Sequence, residues 1–228
     1  LNRGEEQWDV INAGVSGYGM WQYLAYYRHY GSKYEPDLVT LGLFFDDFYG
    51  DPSGPEETPG SGEYRSLSFI RLVNFIRNLQ ELLKFRYRYL LGSKWLKSVD
   101  ERREYFRSSK FDLLLRGRAD ENLFKKFESR LKELSGLTRS QGAGLVVVFI
   151  PDIVQIGHPE LQVLNGKVHD ICERTHVDFL DMTPVFEARG DLKALYLLPY
   201  DAHTSPLGHR LISEKIEGFI REHKGPSN

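Results

Sequence analysis

The sequence has little of what marks a disulfide-built, membrane-spanning or nucleic-acid-binding protein. Cys172 is the only cysteine among 228 residues, which excludes an internal disulfide. No apolar run approaches the roughly 18 residues of a transmembrane helix, and the N-terminus has no signal-peptide pattern. The net charge of −2 argues against nucleic acid as an electrostatic partner. With 41% hydrophobic and 27% charged residues, the chain has the composition of an ordinary globular domain.

The common metal and nucleotide motifs are also missing. No G-x-x-x-x-G-K-[ST] occurs, and Gly14, Gly17 and Gly19 lack the spacing of a dinucleotide-binding loop. Asp46 and Asp47 are adjacent carboxylates, but neighbours on an extended chain face opposite ways. Five of the histidines have no metal-ligand spacing, namely His29, His158, His169, His176 and His223. We therefore expect no metal and no other cofactor.

Apolar strands alternate with amphipathic helices along most of the chain. Strands are predicted at residues 8–12, 38–44, 145–150 and 177–181, and helices at 20–30, 120–135, 159–175 and 206–220. The second and third strands are almost continuously apolar, as in strands that are buried on both faces of a parallel sheet. Right-handed β-α-β crossovers then predict a three-layer α/β/α sandwich with a central, mainly parallel sheet. Cys172 falls in a helical pattern and is interpreted as a small buried apolar residue.

A segment at about 51–118 interrupts the alternation and is interpreted as a helical insertion in a single domain spanning 1–228. Residues 50–62 are rich in Pro, Gly, Ser and Glu, as in an exposed loop. Residues 67–91 have the spacing of a long helix with basic residues around it. Such a helix either packs on the core with a solvated basic face or contacts a membrane or an acidic partner. Residues 93–118 are charged and irregular, and predict a further helix and a loop.

Asp201 and His203 stand two residues apart, just before the last predicted helix, which begins at Pro206. A loop in this position directs an imidazole into a cleft while the nearby carboxylate holds the other ring nitrogen. Such a pair is the base half of a relay that activates a nucleophile. The alternative interpretation is a loop histidine whose acidic neighbour only caps the helix. His209, on that helix, is interpreted as a capping or packing residue.

Three loops that we expect at the carboxyl edge of the sheet, where ligands bind, together resemble the sequence blocks of the SGNH (GDSL-type) hydrolases, a family of esterases, lipases and carbohydrate deacetylases. The run N-A-G-V-S-G at 12–17 matches the second block, whose last glycine, here Gly17, donates a backbone N–H to the oxyanion hole. The run L-F-F-D-D at 43–47 stands where the third block reads G-x-N-D. Asp201 and His203 match the fifth block, and the P-L-G-H that follows continues its usual helix entry. The resemblance covers nearly the whole chain apart from the insertion and implies the family's flavodoxin-like fold.

Two departures from the family pattern bear on activity. The first block, G-D-S, carries the nucleophilic serine on the first strand, and it occurs nowhere in this sequence. Because the chain begins at Leu1 without a methionine, we expect the serine and its strand upstream of Leu1; otherwise the chain is a non-catalytic relative. The second departure is Asp46 in the place of the family's asparagine. An ionised carboxylate accepts hydrogen bonds and donates none to an oxyanion, unless burial keeps it protonated.

Ser16 is a second candidate nucleophile, because G-V-S-G lies between a predicted strand and a predicted helix. Tyr18 breaks the full G-x-S-x-G pattern of a nucleophile elbow. In the family, this serine lies beside the oxyanion glycine and is not the nucleophile. We therefore rank Ser16 well below an upstream serine.

The resemblance implies a serine ester hydrolase or O-acyl transferase that needs no cofactor. His203 is then the general base and Asp201 orients its ring, while Gly17 holds the oxyanion with Asp46 in the third-block position. By similarity to bacterial members with this second block, we expect a carbohydrate that carries an acyl ester such as O-acetyl, and we favour export over a cytoplasmic location. Aromatic residues near these loops either stack on sugar faces or pack in the core: Tyr18, Trp21, Phe44, Phe45, Phe48 and Tyr49.

Two other classes of function stay open. A catalytically silent carbohydrate-binding or scaffolding domain on the same fold is favoured by Asp46 and by the missing serine. A flavodoxin-like nucleotide-binding module accounts for the predicted sheet but leaves Asp201 and His203 unexplained, and fold alone does not fix function.

Overall fold

A computed structural model of the chain describes residues 8–15, 17–49, 99–107, 109–197 and 202–223. Within these ranges the protein is of the α/β class. Its helices are α1 (Met20–His29), α2 (Val99–Arg107), α3 (Lys110–Leu115), α4 (Glu121–Ser140), α5 (Val163–Thr175), α6 (Thr183–Arg189), α7 (Leu192–Leu195) and α8 (Pro206–His223). Its strands are β1 (Leu38–Leu43), β2 (Gly144–Phe149) and β3 (Asp178–Asp181).

The described strands form one parallel sheet in the order β1-β2-β3. β1 pairs along its whole length with β2, from Leu38 opposite Gly144 to Leu43 opposite Phe149, and the shorter β3 pairs with residues 146–149. The central strand is buried from its second residue onwards, as its run of β-branched and aromatic side chains predicts. Because the pairing is parallel, the carboxyl ends of all three strands meet at one edge of the sheet.

The main apolar core lies where α1, α4 and α5 pack beside one another and against the sheet. Leu24 of α1, Leu131 and Leu134 of α4 and Val168 of α5 are all buried in it. Burial of each such side chain contributes about 1.5–3 kcal/mol to folding. Cys172 is fully buried in the same cluster, and burial raises the pKa of its thiol to about 12, which confirms it as a small apolar core residue.

A second, smaller cluster joins α8 to the sheet. Val146 packs with Phe219 and Ile220 of α8, whereas its neighbours Leu145 and Val147 belong to the main core. Side chains alternate between the two faces of a strand, so α8 covers the face of β2 opposite to the main core.

Most predicted elements that fall on described residues are confirmed. Asp120 caps α4 as predicted, because its Oδ1 accepts a hydrogen bond of 2.9 Å from the N–H of Asn122. This helix continues to Ser140, beyond its predicted end. The helix predicted at 159–175 begins as a 3-10 turn (Pro159–Leu161) and becomes α-helical only in α5.

The strand predicted at 8–12 is wrong. Residues 8–15 have no strand assignment, and Val10 and Ile11 are 70% and 55% exposed. An apolar run becomes a strand only where another strand satisfies its backbone groups, and the described sheet places none beside this segment.

The predicted insertion at about 51–118 is described only in its C-terminal part. The loop at 50–62 and the basic helix at 67–91 lie outside the described residues. The stretch predicted as one helix and a loop contains two helices, α2 and α3, and their residues Phe106, Leu114 and Leu115 are buried in the main core. These two helices are therefore part of the folded domain. Across the described residues, no helix combines the length and apolar character needed to cross a membrane.

Candidate active site

Two of the polar loops that the sequence singles out, those of Asp46 and of His203, lie together at the carboxyl edge of the sheet. Asp46 and Asp47 follow β1 in a 3-10 turn (Phe45–Phe48), and Asp152 follows β2. His203 lies on the loop before α8 and is exposed. Open parallel sheets bind ligands at this edge, so these residues define the candidate site.

Tyr196 fixes the loop of His203 over the end of β2. This side chain is 2% exposed, and its hydroxyl donates a hydrogen bond of 2.9 Å to the carbonyl of Pro151. Its backbone forms an antiparallel bridge with Thr204, and the N–H of Leu197 donates to the carbonyl of His203 at 2.9 Å. Burial raises the pKa of Tyr196, so the hydroxyl stays a donor at all working pH values.

The start of α8 is fixed as well. The Ser205 hydroxyl donates to the carbonyl of Ala194 and accepts a hydrogen bond of 3.2 Å from the N–H of Gly208, as an N-cap does. A Cβ atom on Gly208 would lie 2.7 Å from the carbonyl oxygen of Leu195, so glycine is needed there to let the two backbones approach. His209 is exposed on α8, and its Nε2 lies 3.1 Å from the Thr204 hydroxyl.

Asp46 and His203 interact electrostatically across the candidate site. Although Asp46 as a residue is exposed, partial burial of its carboxyl is the main cause that raises its pKa. Two effects lower the pKa of Asp46: a hydrogen bond from its own backbone and the charge of the nearby His203. The charge of Asp152 raises the pKa of Asp46 further, and that of Arg102 lowers it. These four side chains therefore share one electrostatic environment.

Asp152 forms a buried ion pair with Arg102 of α2. The side chain of Asp152 is fully buried and that of Arg102 is 12% exposed. The Arg102 Nε lies 2.8 Å from Oδ1 and 3.1 Å from Oδ2 of the carboxylate, and its Nη2 also donates to Oδ2. The N–H of Val154 donates to the same carboxylate at 3.0 Å, and the guanidinium lies 5.0 Å from the centre of the Phe106 ring. This pair attaches the C-terminal part of the insertion directly to the site.

Asp47 links the end of β1 to α1. Its Oδ2 accepts a hydrogen bond of 2.8 Å from the N–H of Phe44, and its Oδ1 accepts one of 3.2 Å from the Tyr23 hydroxyl. Burial raises the pKa of Asp47 to about 7, helped by the charge of Asp46 and opposed by the two hydrogen bonds. Asp46 and Asp47 thus lie in a tight turn, and the premise that they lie on an extended chain is wrong.

A buried hydrogen-bond network joins the ends of β2 and β3. The side chain of Gln155 accepts from the N–H of Asp152 at 2.8 Å and donates to Asn165 at 3.0 Å. Asn165 donates in turn to Thr183 at 2.8 Å and to Asp181 at 3.0 Å. Polar networks with satisfied partners are stiff, so the site stands on a rigid base.

Gly17 has the backbone conformation that only glycine adopts easily. Its φ is +81°, and no atom lies within 4 Å of a Cβ built on it, so conformation rather than space selects glycine here. It is exposed just ahead of α1, the helix whose Tyr23 reaches Asp47. Gly17 is therefore connected through α1 to the turn that follows β1. Ser16 and Asp201 lie outside the described residues.

Sequence reasoning missed Arg102, Asp152, Tyr23 and Tyr196. The signal for Asp152 was present, because it directly follows the most apolar strand, at the edge where ligands bind. Its partner Arg102 lies 50 residues away within the predicted insertion, and no pattern in the sequence connects the two.

One group of residues in the described part of the chain has the spacing for a metal ion. The ligand atoms of His169, Asp170 and Glu173 lie within 4.8 Å of one another on α5. All three side chains are exposed, and the ring of His169 already packs against Phe179 with 5.4 Å between centroids. Exposed acidic side chains on one helix are common without a metal, so we assign no metal site there.

Comparisons with known proteins return no matching family model, curated protein or solved structure. The class that the structure defines is an α/β protein, whose described strands form a small parallel sheet. Any narrower family assignment rests on the sequence blocks and on the geometry of the site.

Proposed function

We propose that the chain belongs to a serine ester hydrolase or O-acyl transferase of the SGNH type that acts on an acylated carbohydrate. One observation carries this proposal: His203 is exposed at the carboxyl edge of the sheet, on a loop fixed by Tyr196, beside the acidic turn that follows β1. A general base needs this combination of exposure and fixed position.

In this mechanism His203 takes the proton of a serine hydroxyl as the oxygen attacks the ester carbonyl. It then gives that proton to the leaving alkoxide, and the acyl-serine is released by water or by an acceptor hydroxyl. Asp201 orients the ring, and the N–H of Gly17 donates to the oxyanion. The serine is supplied by a G-D-S segment upstream of Leu1.

Asp46 changes the electrostatics of this site relative to the asparagine of the family. Its carboxylate attracts the positive charge that forms on His203 when the histidine takes the serine proton. The same charge opposes the oxyanion, and the guanidinium of Arg102 offsets part of it. We infer slower acyl transfer than an asparagine would allow, since one lost oxyanion donor costs about 10²–10³ in rate.

The three-layer α/β/α sandwich of the family is part of the proposal. The contact of Val146 with Phe219 and Ile220 supports it, because it puts α8 on the face of β2 opposite to α1, α4 and α5.

Ester turnover by the protein expressed from its complete gene tests this function. We expect His203→Ala to reduce the turnover of 4-nitrophenyl acetate and of acetylated xylo-oligosaccharides by about 10³-fold or more. His158→Gln is the matched control, because His158 is a loop histidine whose ring contacts the exposed Glu160 at 3.1 Å. Equal turnover by the His203→Ala variant and the parent protein would reject the mechanism.

The second candidate is a silent carbohydrate-binding domain, which the carboxylate at position 46 and the absence of G-D-S from this sequence favour. It predicts that the same oligosaccharides bind without any loss of their acetyl groups.

A further inference from the structure

Four tyrosines form a strip along α1 and the 3-10 turn that follows it (Gly31–Tyr34). The rings of Tyr26 and Tyr30 lie 5.6 Å apart between centroids, and the side chains of Tyr26 and Tyr34 are hydrogen-bonded. Tyr18, just before the helix, lies near Tyr26. Tyr30 and Tyr34 are 59% and 54% exposed, and the other two are half-buried. We call Tyr18, Tyr26, Tyr30 and Tyr34 the tyrosine strip.

The tyrosine strip is not what holds α1 in place. Two other tyrosines of the helix do that: Tyr23 bonds to Asp47, and the buried Tyr27 donates a hydrogen bond of 2.7 Å to Gln141. Tyr26 and Tyr30 are four residues apart and therefore share a face of the helix. Packing accounts for the inward tyrosines and leaves the exposed rings of the strip unexplained.

The tyrosine strip leads away from the candidate site. Tyr23 meets Asp47 after the carboxyl end of β1, whereas Tyr27 meets Gln141 before the amino end of β2. The helix thus runs from the site edge of the sheet toward the opposite edge, over about 15 Å for its ten residues. Tyr18 is the neighbour of Gly17 and marks the site end of the strip.

The side chains around the strip favour a sugar chain over other ligands. Arg28 is paired with Glu133, and Lys33 lies 5.6 Å from the centre of the Tyr30 ring, so positive charge is sparse for a nucleic acid. Two large hydrophobic residues are exposed at the end of α1 and in the turn after it, Tyr30 and Tyr34. Both are tyrosines, which combine an apolar ring with a hydroxyl. Sugar rings present apolar C–H faces bordered by hydroxyls, and tyrosine complements both.

We propose that the tyrosine strip binds a linear oligosaccharide chain whose acylated residue lies at the carboxyl edge of the sheet. This inference rests on the proposed function, since it names how that site holds a polymeric substrate. The rings of Tyr30 and Tyr34 stack on sugar residues beyond the one that carries the ester, and their hydroxyls bond to sugar hydroxyls.

Binding is measured separately from turnover, so that the two proposals fail independently. The protein expressed from its complete gene carries His203→Ala in every sample, and acetylated xylo-oligosaccharides and acetylated chito-oligosaccharides are titrated by calorimetry. We expect Tyr30→Ala with Tyr34→Ala to weaken binding of one of these probes at least about tenfold. The pair Tyr30→Phe with Tyr34→Phe keeps the rings and retains most of the affinity. Leu113→Ala, at a 50% exposed leucine of α3, is the control and binds as the parent does.

Three results would overturn the inference. The first is that neither probe binds the protein that carries His203→Ala alone. The second is that the double alanine variant binds the probes as tightly as that protein does. The third is that the double alanine variant abolishes self-association in sedimentation experiments while oligosaccharide binding is retained, which would make the strip a protein interface. If the protein that keeps His203 does not hydrolyse the ester, the proposed function fails, whereas the binding experiment still decides the inference about the tyrosine strip.

Discussion

The Tyr196 hydroxyl donates a hydrogen bond of 2.9 Å to the carbonyl of Pro151, directly beyond the end of β2. Because the backbone of Tyr196 also bridges Thr204, this one residue connects the central strand to the loop of His203. The position of the candidate base thus depends on a buried side chain that no active-site pattern includes.

Replacement of Tyr196 by phenylalanine removes this connection without removing the ring. The Pro151 carbonyl is then left without its buried donor, so we expect a loss of about 1–3 kcal/mol in the free energy of unfolding, measured with urea. Tyr30→Phe removes an exposed hydroxyl and is the control, with a change within about 0.5 kcal/mol. Equal stability of the two variants would show that the bond does not hold the loop.

The ion pair between Arg102 and Asp152 predicts a large effect from a single truncation. Arg102→Met leaves a fully buried carboxylate without its partner, which costs about 3–5 kcal/mol in the free energy of unfolding. Arg107, on the same helix, pairs with Glu104 at the surface, and Arg107→Met is expected to cost less than about 1 kcal/mol. If both variants unfold at the same urea concentration as the parent, α2 is not attached to the site through this pair.

The raised pKa of Asp47 predicts a pH dependence of stability with a definite sign. The carboxyl has a pKa of about 7 in the folded state and about 3.9 in the unfolded chain, so the folded state binds an extra proton between these values. The contribution of this proton to the stability of the folded state is complete below about pH 4 and is lost as the pH rises to about 7. Relative to Asp47→Asn, which cannot titrate, the parent should lose on the order of 2 kcal/mol over this window. Urea titrations at a series of pH values measure the difference, and parallel curves for the two proteins would contradict it.

Two glycines of α8 predict opposite effects of the same substitution. Gly208→Ala places a Cβ 2.7 Å from the carbonyl oxygen of Leu195, so we expect a loss of about 1–3 kcal/mol and a displaced His203 loop. Gly218→Ala meets no atom within 4 Å and should stabilise the helix by about 0.5–1 kcal/mol. Thermal melts of both variants give the comparison. Stabilisation by both substitutions would show that the helix start is not closely packed.

Local patterns in the sequence were enough to predict much of the fold. The apolar run of β2, the Asp120 cap of α4 and the Pro206 start of α8 each depend on neighbouring residues, and each appears as predicted. The strand at 8–12 failed because its formation depends on a pairing partner, which a local apolar pattern does not report.

The candidate site was predictable only in part. His203 and Asp46 were found because each lies in a short motif beside a predicted strand or helix. The pairing of Arg102 with Asp152 and the anchoring of the loop by Tyr196 join residues that are about 50 positions apart in the sequence. Only the folded chain brings these partners together.

Covalent labelling tests the central claim, that His203 serves as base for a serine at the carboxyl edge. The protein expressed from its complete gene is treated with a fluorophosphonate, which reacts with activated serines, and the modified peptide is identified by mass spectrometry. We predict a single adduct on a serine upstream of Leu1, and its loss in the His203→Ala variant. No adduct, or an adduct on a serine within residues 1–228 such as Ser16, would contradict the account.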